Sequence, residues 1–361
     1  MFVFDAVVHA FDATSANVRS DYGIHVLESI YQGQRAALPD RLQSYSLSRA
    51  RFFQRMTAEE LGSALFHESQ TDAAIFHAIP AWGILKDLSP LSVGKELRDM
   101  FPDRVFLYGA VSPVEGARAL AELDRQIAEI GILGVKLYPV DIIDGNLRAV
   151  SLADETHVYP VIERCRAAGV RTIAIHKALP IGTAPTSVFD PGDVDHAAAD
   201  FPDMTFEIVH GGYAWTDETA FQLARFPNVI VNLESTIALL LRRPYAFAHI
   251  IGKLIDAGGP RKILWGTGAI PHPRPLIEAF AHFQMPEELT EQYGYRPLTT
   301  EDKRLIFGEN AATLHGLGAR TTSVDGDGVL REPWGLVPTP QAPDPLARRA
   351  EQLGRPSTAT I

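Results

Sequence analysis

The chain alternates short apolar runs with amphipathic segments, and this alternation constrains its fold more than any other feature of the sequence. Eight runs rich in Val, Ile and Phe are almost continuously apolar, which is typical of strands that are buried on both faces. From the second run onward they recur about every 30 residues, the length of a strand–helix–strand unit with parallel strands. The predicted strands are 2–10, 72–80, 104–112, 133–139, 171–177, 204–211, 228–234 and 262–268.

The segments between these runs have the periodicity of amphipathic helices. Apolar residues follow helical spacing in 115–131, and Thr57 with Glu60 has the spacing of a capping box at a helix start. Eight parallel strands that alternate with helices predict an α/β fold, a (β/α)8 TIM barrel over residues 1–318. A doubly wound sheet is the alternative, but the even spacing and the lack of a glycine-rich phosphate loop favour the barrel.

Two segments fall outside the repeat. Residues 12–56 form a long polar connection between the first strand and the first helix. On a barrel this connection lies at the C-terminal face, where active-site lids are built. Residues 319–361 are rich in Pro, Gly, Arg and Ala, which predicts an extended C-terminal arm or tail and not a second domain. Because such an arm can pack on a neighbouring subunit, we expect a homo-oligomer.

Charge and cysteine content exclude several classes of protein. The net charge of −11 argues against nucleic acids and anionic membranes as partners, since both attract basic surfaces. It is compatible with an anionic small-molecule substrate, because a site can be locally positive. The single cysteine, Cys165, excludes an internal disulfide and a cysteine zinc cluster. Without a leader-like N-terminus or a long apolar run, we expect a cytoplasmic protein.

Histidines stand at the carboxyl ends of three predicted strands. These are His9, His176 and His210, and His77 is a weaker fourth case. A histidine at one strand end is more often a structural hydrogen-bonding group than a ligand. Three of them at the rim where barrel enzymes place their active sites indicate a functional cluster. Imidazoles suit zinc, iron, nickel or manganese, and three protein ligands with an open position form a catalytic metal site.

Six motifs occur in a characteristic order along the chain. They are FDAVVHAFD (4–12), GVKLYP (134–139), IAIHKA (173–178), EIVHGGYAW (207–215), ILWGTG (263–268) and IFGENAATLHGL (306–317). Together they resemble the amidohydrolase-2 branch of the amidohydrolase superfamily, which includes aminocarboxymuconate-semialdehyde decarboxylase and resorcylate-type decarboxylases. The resemblance implies a TIM barrel that hydrolyses or decarboxylates a small molecule.

The resemblance also implies a divalent metal, zinc in the first place, and two of its usual ligand positions are substituted here. His9 and His176 match ligand histidines, and His210 matches a histidine that acts on the substrate. The partner of His9 in the first strand of the family corresponds to Val7, and the aspartate of the eighth strand corresponds to Gly268. Neither residue offers a ligating atom, and two imidazoles alone are a poor divalent site.

Three hypotheses follow from this departure. The metal could be held by the three strand-end histidines with a carboxylate such as Glu234 or Asp12 nearby. Alternatively, the protein could work without metal and use its histidines and Lys136 as acid–base groups. In the third hypothesis the chain binds a ligand without turning it over.

Several further residues are candidates for substrate binding. Lys136, on the inward side of a strand end, could act as a base, bind a carboxylate or pair with Glu234. Arg51 and Arg55 lie four residues apart in 12–56 and could clamp an anion. Aromatic residues near strand ends could line a pocket for a flat substrate, namely Tyr138, Tyr213 and Trp215. We predict a hydrolase of a small, aromatic or unsaturated carboxylate or its ester, amide or ketone, with non-oxidative decarboxylation as the alternative.

Overall fold

The computed structural model describes residues 1–318 and 329–337. Eight parallel strands form one sheet in chain order, as the sequence predicted. We number them β1 to β8: Phe4–Val8, Ala73–His77, Val105–Ala110, Gly134–Leu137, Thr172–His176, Thr205–Val209, Val229–Asn232 and Ile263–Leu264. The remaining residues of the predicted tail, 319–328 and 338–361, lie outside the described residues.

The sheet closes into a barrel between β8 and β1. The amide of Ala6 donates to the carbonyl oxygen of Trp265 at 2.9 Å, and the amide of Gly268 donates to that of Val7 at 2.8 Å. The amide of His9 returns a bond to the carbonyl oxygen of Gly268 at 3.3 Å. Pairing on both sides leaves no open edge, so the TIM barrel is confirmed.

Helices surround the barrel and connect successive strands. We number them α1 to α14: Asp21–Ala37, Arg49–Phe52, Ala58–Phe66, Leu91–Met100, Ala117–Arg125, Tyr159–Ala167, Val194–Asp200, Thr216–Arg225, Leu239–Arg242, Pro244–Gly258, Pro273–His282, Glu287–Tyr293, Thr300–Arg304 and Asn310–Leu314. Two π-helical turns extend this set, Gln126–Ile130 and Leu305–Glu309. The predicted capping box forms at α3, where Thr57 and Glu60 bond each other's backbone amides. Within the described residues, no helix is both long enough and apolar enough to span a bilayer.

Two elements near the mouth of the barrel were not predicted. The segment 12–56 contains α1. Ser20 caps the N-terminus of this helix, and its hydroxyl accepts a hydrogen bond from the Gly23 amide. After β4 the chain forms an antiparallel hairpin of Val140–Ile143 with Asn146–Ala149. Its turn is Asp144-Gly145, both at positive φ, which is a common two-residue hairpin turn.

The described part of the C-terminal segment, 329–337, folds back onto the barrel. The Trp334 amide donates to a Glu68 carboxylate oxygen at 2.6 Å, and its indole ring packs edge-on at 5.0 Å from the ring of His272. His272 is buried and bonds Glu68 at 3.1 Å. This contact fixes 329–337 beside the loop that follows β8.

Candidate active site

A cavity of about 350 Å³ opens at the carboxyl ends of the strands. Side chains of its polar floor come from β4 and β5 and from the residues that follow β1, β4, β6 and β7. Its walls include apolar side chains of α1 and of the loops after β1, β2 and β8. The polar groups are His9, Lys136, Tyr138, His176, His210 and Glu234, and Gly268 lies among them. The strand-end residues that the sequence singled out therefore share one cavity, with the exceptions of Val7 and the weaker candidate His77.

Backbone strain is concentrated around this cavity. Ala178, His210, Ser235 and Ala269 have φ between 59° and 64°, a left-handed conformation that is unfavourable for residues other than glycine. Each follows the end of one strand from β5 to β8. Such conformations cost about 1–3 kcal/mol each and are retained chiefly at functional sites.

His176 and His210 are linked in a chain of hydrogen bonds that ends at Glu234. The Nε2 atom of His210 lies 2.9 Å from Nδ1 of His176, and Nε2 of His176 lies 2.8 Å from the carbonyl oxygen of Leu179. On its other side, Nδ1 of His210 is 2.7 Å from Oε2 of Glu234 and 3.0 Å from the Glu234 carbonyl oxygen. All four imidazole nitrogens are therefore occupied.

The pattern of partners fixes which nitrogens donate at the two ends of this chain. The backbone carbonyl oxygen of Leu179 only accepts, so Nε2 of His176 donates to it. The backbone carbonyl oxygen of Glu234 likewise accepts from Nδ1 of His210. Burial, with the neighbouring His210 and Lys136, holds the pKa of His176 well below 6.5.

Glu234 contacts His210 at the end of this chain through its carboxylate group. Burial alone would raise the pKa of its carboxyl group, but the charge and hydrogen bond of His210, with attraction from His9 and Lys136, lower it to about 2. The carboxylate is thus ionised at neutral pH. Its other oxygen accepts a hydrogen bond from the Ser235 hydroxyl at 3.0 Å.

His9 presents a free nitrogen to the cavity. Its Nδ1 atom lies 2.9 Å from the carbonyl oxygen of His77, so Nδ1 donates and Nε2 keeps its lone pair. Burial, with repulsion from Lys136 and His210, outweighs attraction from Glu234 and lowers the pKa of His9 to about 4. The side chain is therefore a neutral acceptor at pH 7.

Lys136 is a buried cation without a partner among the described residues. Only 2% of the residue is exposed, yet its ammonium group makes no hydrogen bond or ion pair with that part of the chain. Burial lowers the pKa of Lys136 to about 8, although the charges of Glu234 and Glu207 oppose the effect. The group is mostly protonated at pH 7. The predicted pairing of Lys136 with Glu234 does not form, because Glu234 bonds His210 instead.

The structure separates the other candidate residues. Tyr138 and Tyr213 line the cavity, and the Tyr138 ring packs 4.6 Å from that of His176. Trp215 lies at the start of α8 and is not part of the lining. Arg51 and Arg55 line a separate cavity of about 110 Å³, and Arg51 also bonds the Trp334 carbonyl oxygen at 3.4 Å. They are therefore not brought together with the histidines.

The sequence analysis did not identify two arginines that lie at the mouth of the cavity. Arg242 and Arg243 lie at the end of α9, are exposed and belong to the lining. With Lys136 they give the lining three cations, against the single carboxylate of Glu234. The available signal was their position after the seventh predicted strand, within the sequence LLLRRP.

Comparison with known proteins identifies relatives of this architecture. A family model described as "Amidohydrolase" matches residues 41–317. No curated protein matches the chain. Among solved structures, an uncharacterized TIM-barrel protein from Bordetella bronchiseptica has 18% sequence identity and a TM-score of 0.58, over 87% of this chain and 98% of its own. A 5-carboxyvanillate decarboxylase from Novosphingobium aromaticivorans, with bound manganese, has 14% identity and a TM-score of 0.53, over 88% and 97%. A probable 2-pyrone-4,6-dicarboxylic acid hydrolase from Acinetobacter baumannii has 15% identity and a TM-score of 0.50, over 88% and 100%.

A closed barrel of eight parallel strands, with a polar cavity at their carboxyl ends, has the organisation of TIM-barrel enzymes. The family model covers most of the chain, and the chain belongs to the amidohydrolase family. The resemblance drawn from the six sequence motifs is confirmed. At these identities the solved structures support the fold alone.

The residues present do not fit the divalent metal that the family implies. Among the described residues, no group of three or more His, Cys, Asp or Glu side chains is arranged to hold an ion. Val7 is a fully buried apolar residue, and Gly268 has no side chain. Both nitrogens of His176 are engaged, so it cannot bind a metal without giving up a hydrogen bond. Asp12, considered above as a ligand, bonds Thr14 and is not part of the lining.

Proposed function

We propose that the protein is a hydrolase that cleaves a carbonyl compound carrying a carboxylate group. One observation supports this most strongly: a neutral base and an unpartnered cation open onto the same cavity. Nε2 of His9 has a free lone pair, and the ammonium group of Lys136 has no partner among the described residues. Hydrolysis of a carbonyl needs a base that activates water and a donor that stabilises the oxyanion.

In this proposal, His9 accepts a proton from a water molecule as the water oxygen attacks the substrate carbonyl carbon. The ammonium of Lys136 and the Tyr138 hydroxyl donate to the carbonyl oxygen, which gains negative charge. The pKa of Tyr138 is raised well above 10 by burial, so its hydroxyl keeps its proton and can donate. The protonated His9 then returns the proton to the leaving group, and the carbonyl is re-formed as a carboxylate.

The cavity suits a small substrate with an apolar body and an anionic end. Its volume of about 350 Å³ is at the lower end of ligand pockets. Apolar walls from Phe11, Ile79 and Leu179 would contact the body of the substrate. Arg242 and Arg243 at the mouth would bind its carboxylate, while the carbonyl lies at the floor. This places an anionic substrate in a locally positive site on a chain of net charge −11.

A second candidate is non-oxidative decarboxylation of the same class of carboxylate. In this candidate the hydrogen-bonded pair of His176 and His210 would supply the proton that is delivered to the carbon that loses carbon dioxide. Lys136 would then bind the departing carboxylate. The solved relative from Novosphingobium is a decarboxylase, and the relative from Acinetobacter is a probable hydrolase.

Turnover of a substrate panel distinguishes the candidates. Aromatic and unsaturated carboxylates, with their esters, amides and ketones, would be incubated with the full-length protein and assayed for new carboxylate and for carbon dioxide. The proposal predicts new carboxylate without carbon dioxide, a signal lost in His9→Gln and kept in Arg55→Ala, whose side chain lies outside the cavity. Carbon dioxide as the product would favour decarboxylation, and binding without turnover would favour a ligand-binding barrel.

A further inference from the structure

We propose that the active centre of this chain operates without a divalent metal because Glu234 occupies the space of the missing eighth-strand ligand. In place of the ion, Glu234, His210 and His176 form a hydrogen-bonded chain beside the Lys136 ammonium. The inference concerns the source of charge in the cavity and holds for either reaction considered above.

The first argument is steric and concerns Gly268. The resemblance to the family places an aspartate at this position. A Cβ atom built on Gly268 would lie 2.7 Å from Oε1 of Glu234 and 3.3 Å from its carboxyl carbon. A side chain at position 268 would therefore require the Glu234 carboxylate to move from its observed position. The absence of a side chain allows the carboxylate to reach His210.

The second argument concerns the donor atoms. His176 and His210 have no free nitrogen, and the carboxylate of Glu234 already accepts hydrogen bonds from His210 and Ser235. Among these groups, only Nε2 of His9 remains available. One free imidazole nitrogen does not make a divalent site, which needs three or more protein ligands.

The third argument is electrostatic. The unpartnered ammonium of Lys136 faces this cavity, and among the described residues no carboxylate other than that of Glu234 belongs to the lining. A divalent cation placed there would be repelled by the ammonium group. An anionic group of a substrate or of a reaction intermediate would instead be attracted, which is the role a metal ion has in a metal-dependent centre.

Metal binding and histidine NMR test the proposal without a substrate. The full-length protein would be dialysed against a chelator and titrated with Mn²⁺ and with Zn²⁺, with binding followed by calorimetry and metal content by elemental analysis. Imidazole ¹⁵N spectra, assigned through single His→Gln variants, would report which rings approach a bound ion. The proposal predicts no stoichiometric binding and no selective broadening of His9, His176 or His210 by Mn²⁺. Stoichiometric metal, or selective broadening of these signals, would overturn it.

Two variants test the part assigned to Glu234. Glu234→Gln, which replaces the carboxylate in contact with His210, should shift the Nδ1 resonance of His210 while leaving metal binding absent. Gly268→Ala should also shift it, because the added methyl group pushes the carboxylate from its observed position. Gly294→Ala is the matched control, since Gly294 has a similar positive φ of 76° and nothing within 4 Å of its Cβ position. A His210 Nδ1 resonance that is unchanged in both Glu234→Gln and Gly268→Ala would contradict the proposal.

Discussion

Replacing Glu234 with glutamine is expected to destabilise the fold by an amount that depends on pH. The surroundings lower the pKa of this carboxyl group from 4.5 to about 2, chiefly through His210 acting against burial. Since each pKa unit corresponds to about 1.4 kcal/mol, ionised Glu234 contributes about 3 kcal/mol to the free energy of unfolding. A lowered pKa means that this contribution is fully present above pH 4.5 and is lost as the pH falls toward 2.

Urea unfolding measured from pH 4 to pH 8 provides the assay. Glu234→Gln should lie about 3 kcal/mol below the wild type between pH 5 and pH 8, with the difference narrowing below pH 4.5. Glu288→Gln, which changes an exposed carboxylate of α12, should match the wild type throughout. If the free energy of unfolding of Glu234→Gln at pH 7 lies within about 0.5 kcal/mol of the wild-type value, the stabilising role of ionised Glu234 is refuted, since surface substitutions fall in that range.

Three further predictions concern individual groups of the cavity. His9→Gln should lower turnover by about 10²–10⁴-fold, the usual effect of losing a general base, with an unchanged melting temperature; unimpaired turnover would exclude His9 as the base. Burial lowers the pKa of Lys136 from 10.5 to about 8, so its ammonium is unfavourable to folding by about 3 kcal/mol at pH 7 and this cost disappears as the pH rises from 8 to 10.5. Lys136→Met should therefore unfold at higher urea than the wild type at pH 7 and turn over poorly; a variant less stable than the wild type would contradict this. Arg243→Ala should raise KM for an anionic substrate more than it changes kcat, with a weaker salt dependence than Arg55→Ala; a pure kcat effect would argue against a role in binding.

The barrel could be predicted because its strands are buried on both faces. Continuous apolar runs identified all eight strands, and parallel order followed from the helices between them. The predicted ends of the strands were less accurate than their positions along the chain. The eighth was predicted over 262–268, but the regular strand contains only Ile263–Leu264. Trp265 and Gly268 still bond β1, although Gly268 has a φ of 73° that is outside strand geometry.

The candidate site was predictable only in part, for a related reason. His9, Lys136, His176 and Glu234 project from strands or directly follow them, so strand parity and the barrel rule place them in one cavity. Arg51, Arg55 and Trp215 lie on connections whose path depends on tertiary packing. No periodicity in the sequence specifies that path.

The close approach of the Glu234 carboxylate to Gly268 could not be inferred from the sequence. The sequence showed that a ligand was missing, but not that the space was filled by a carboxylate from the neighbouring strand end. Likewise, Lys136 has no partner in the described part of the chain because the Glu234 carboxylate contacts His210 instead. Which of these two groups the carboxylate reaches depends on distances of a few ångströms that the sequence does not encode visibly.

The most direct test of a hydrolase that works without metal is the mass of its product in ¹⁸O-labelled water. The protein would be dialysed against a chelator, checked for metal content and supplied with the best substrate of the carboxylate panel. One ¹⁸O atom in the new carboxylate, formed at the same rate with and without chelator, is the predicted result. An unlabelled product released with carbon dioxide, or a rate that is lost with the chelator and restored by a stoichiometric divalent metal, would contradict it.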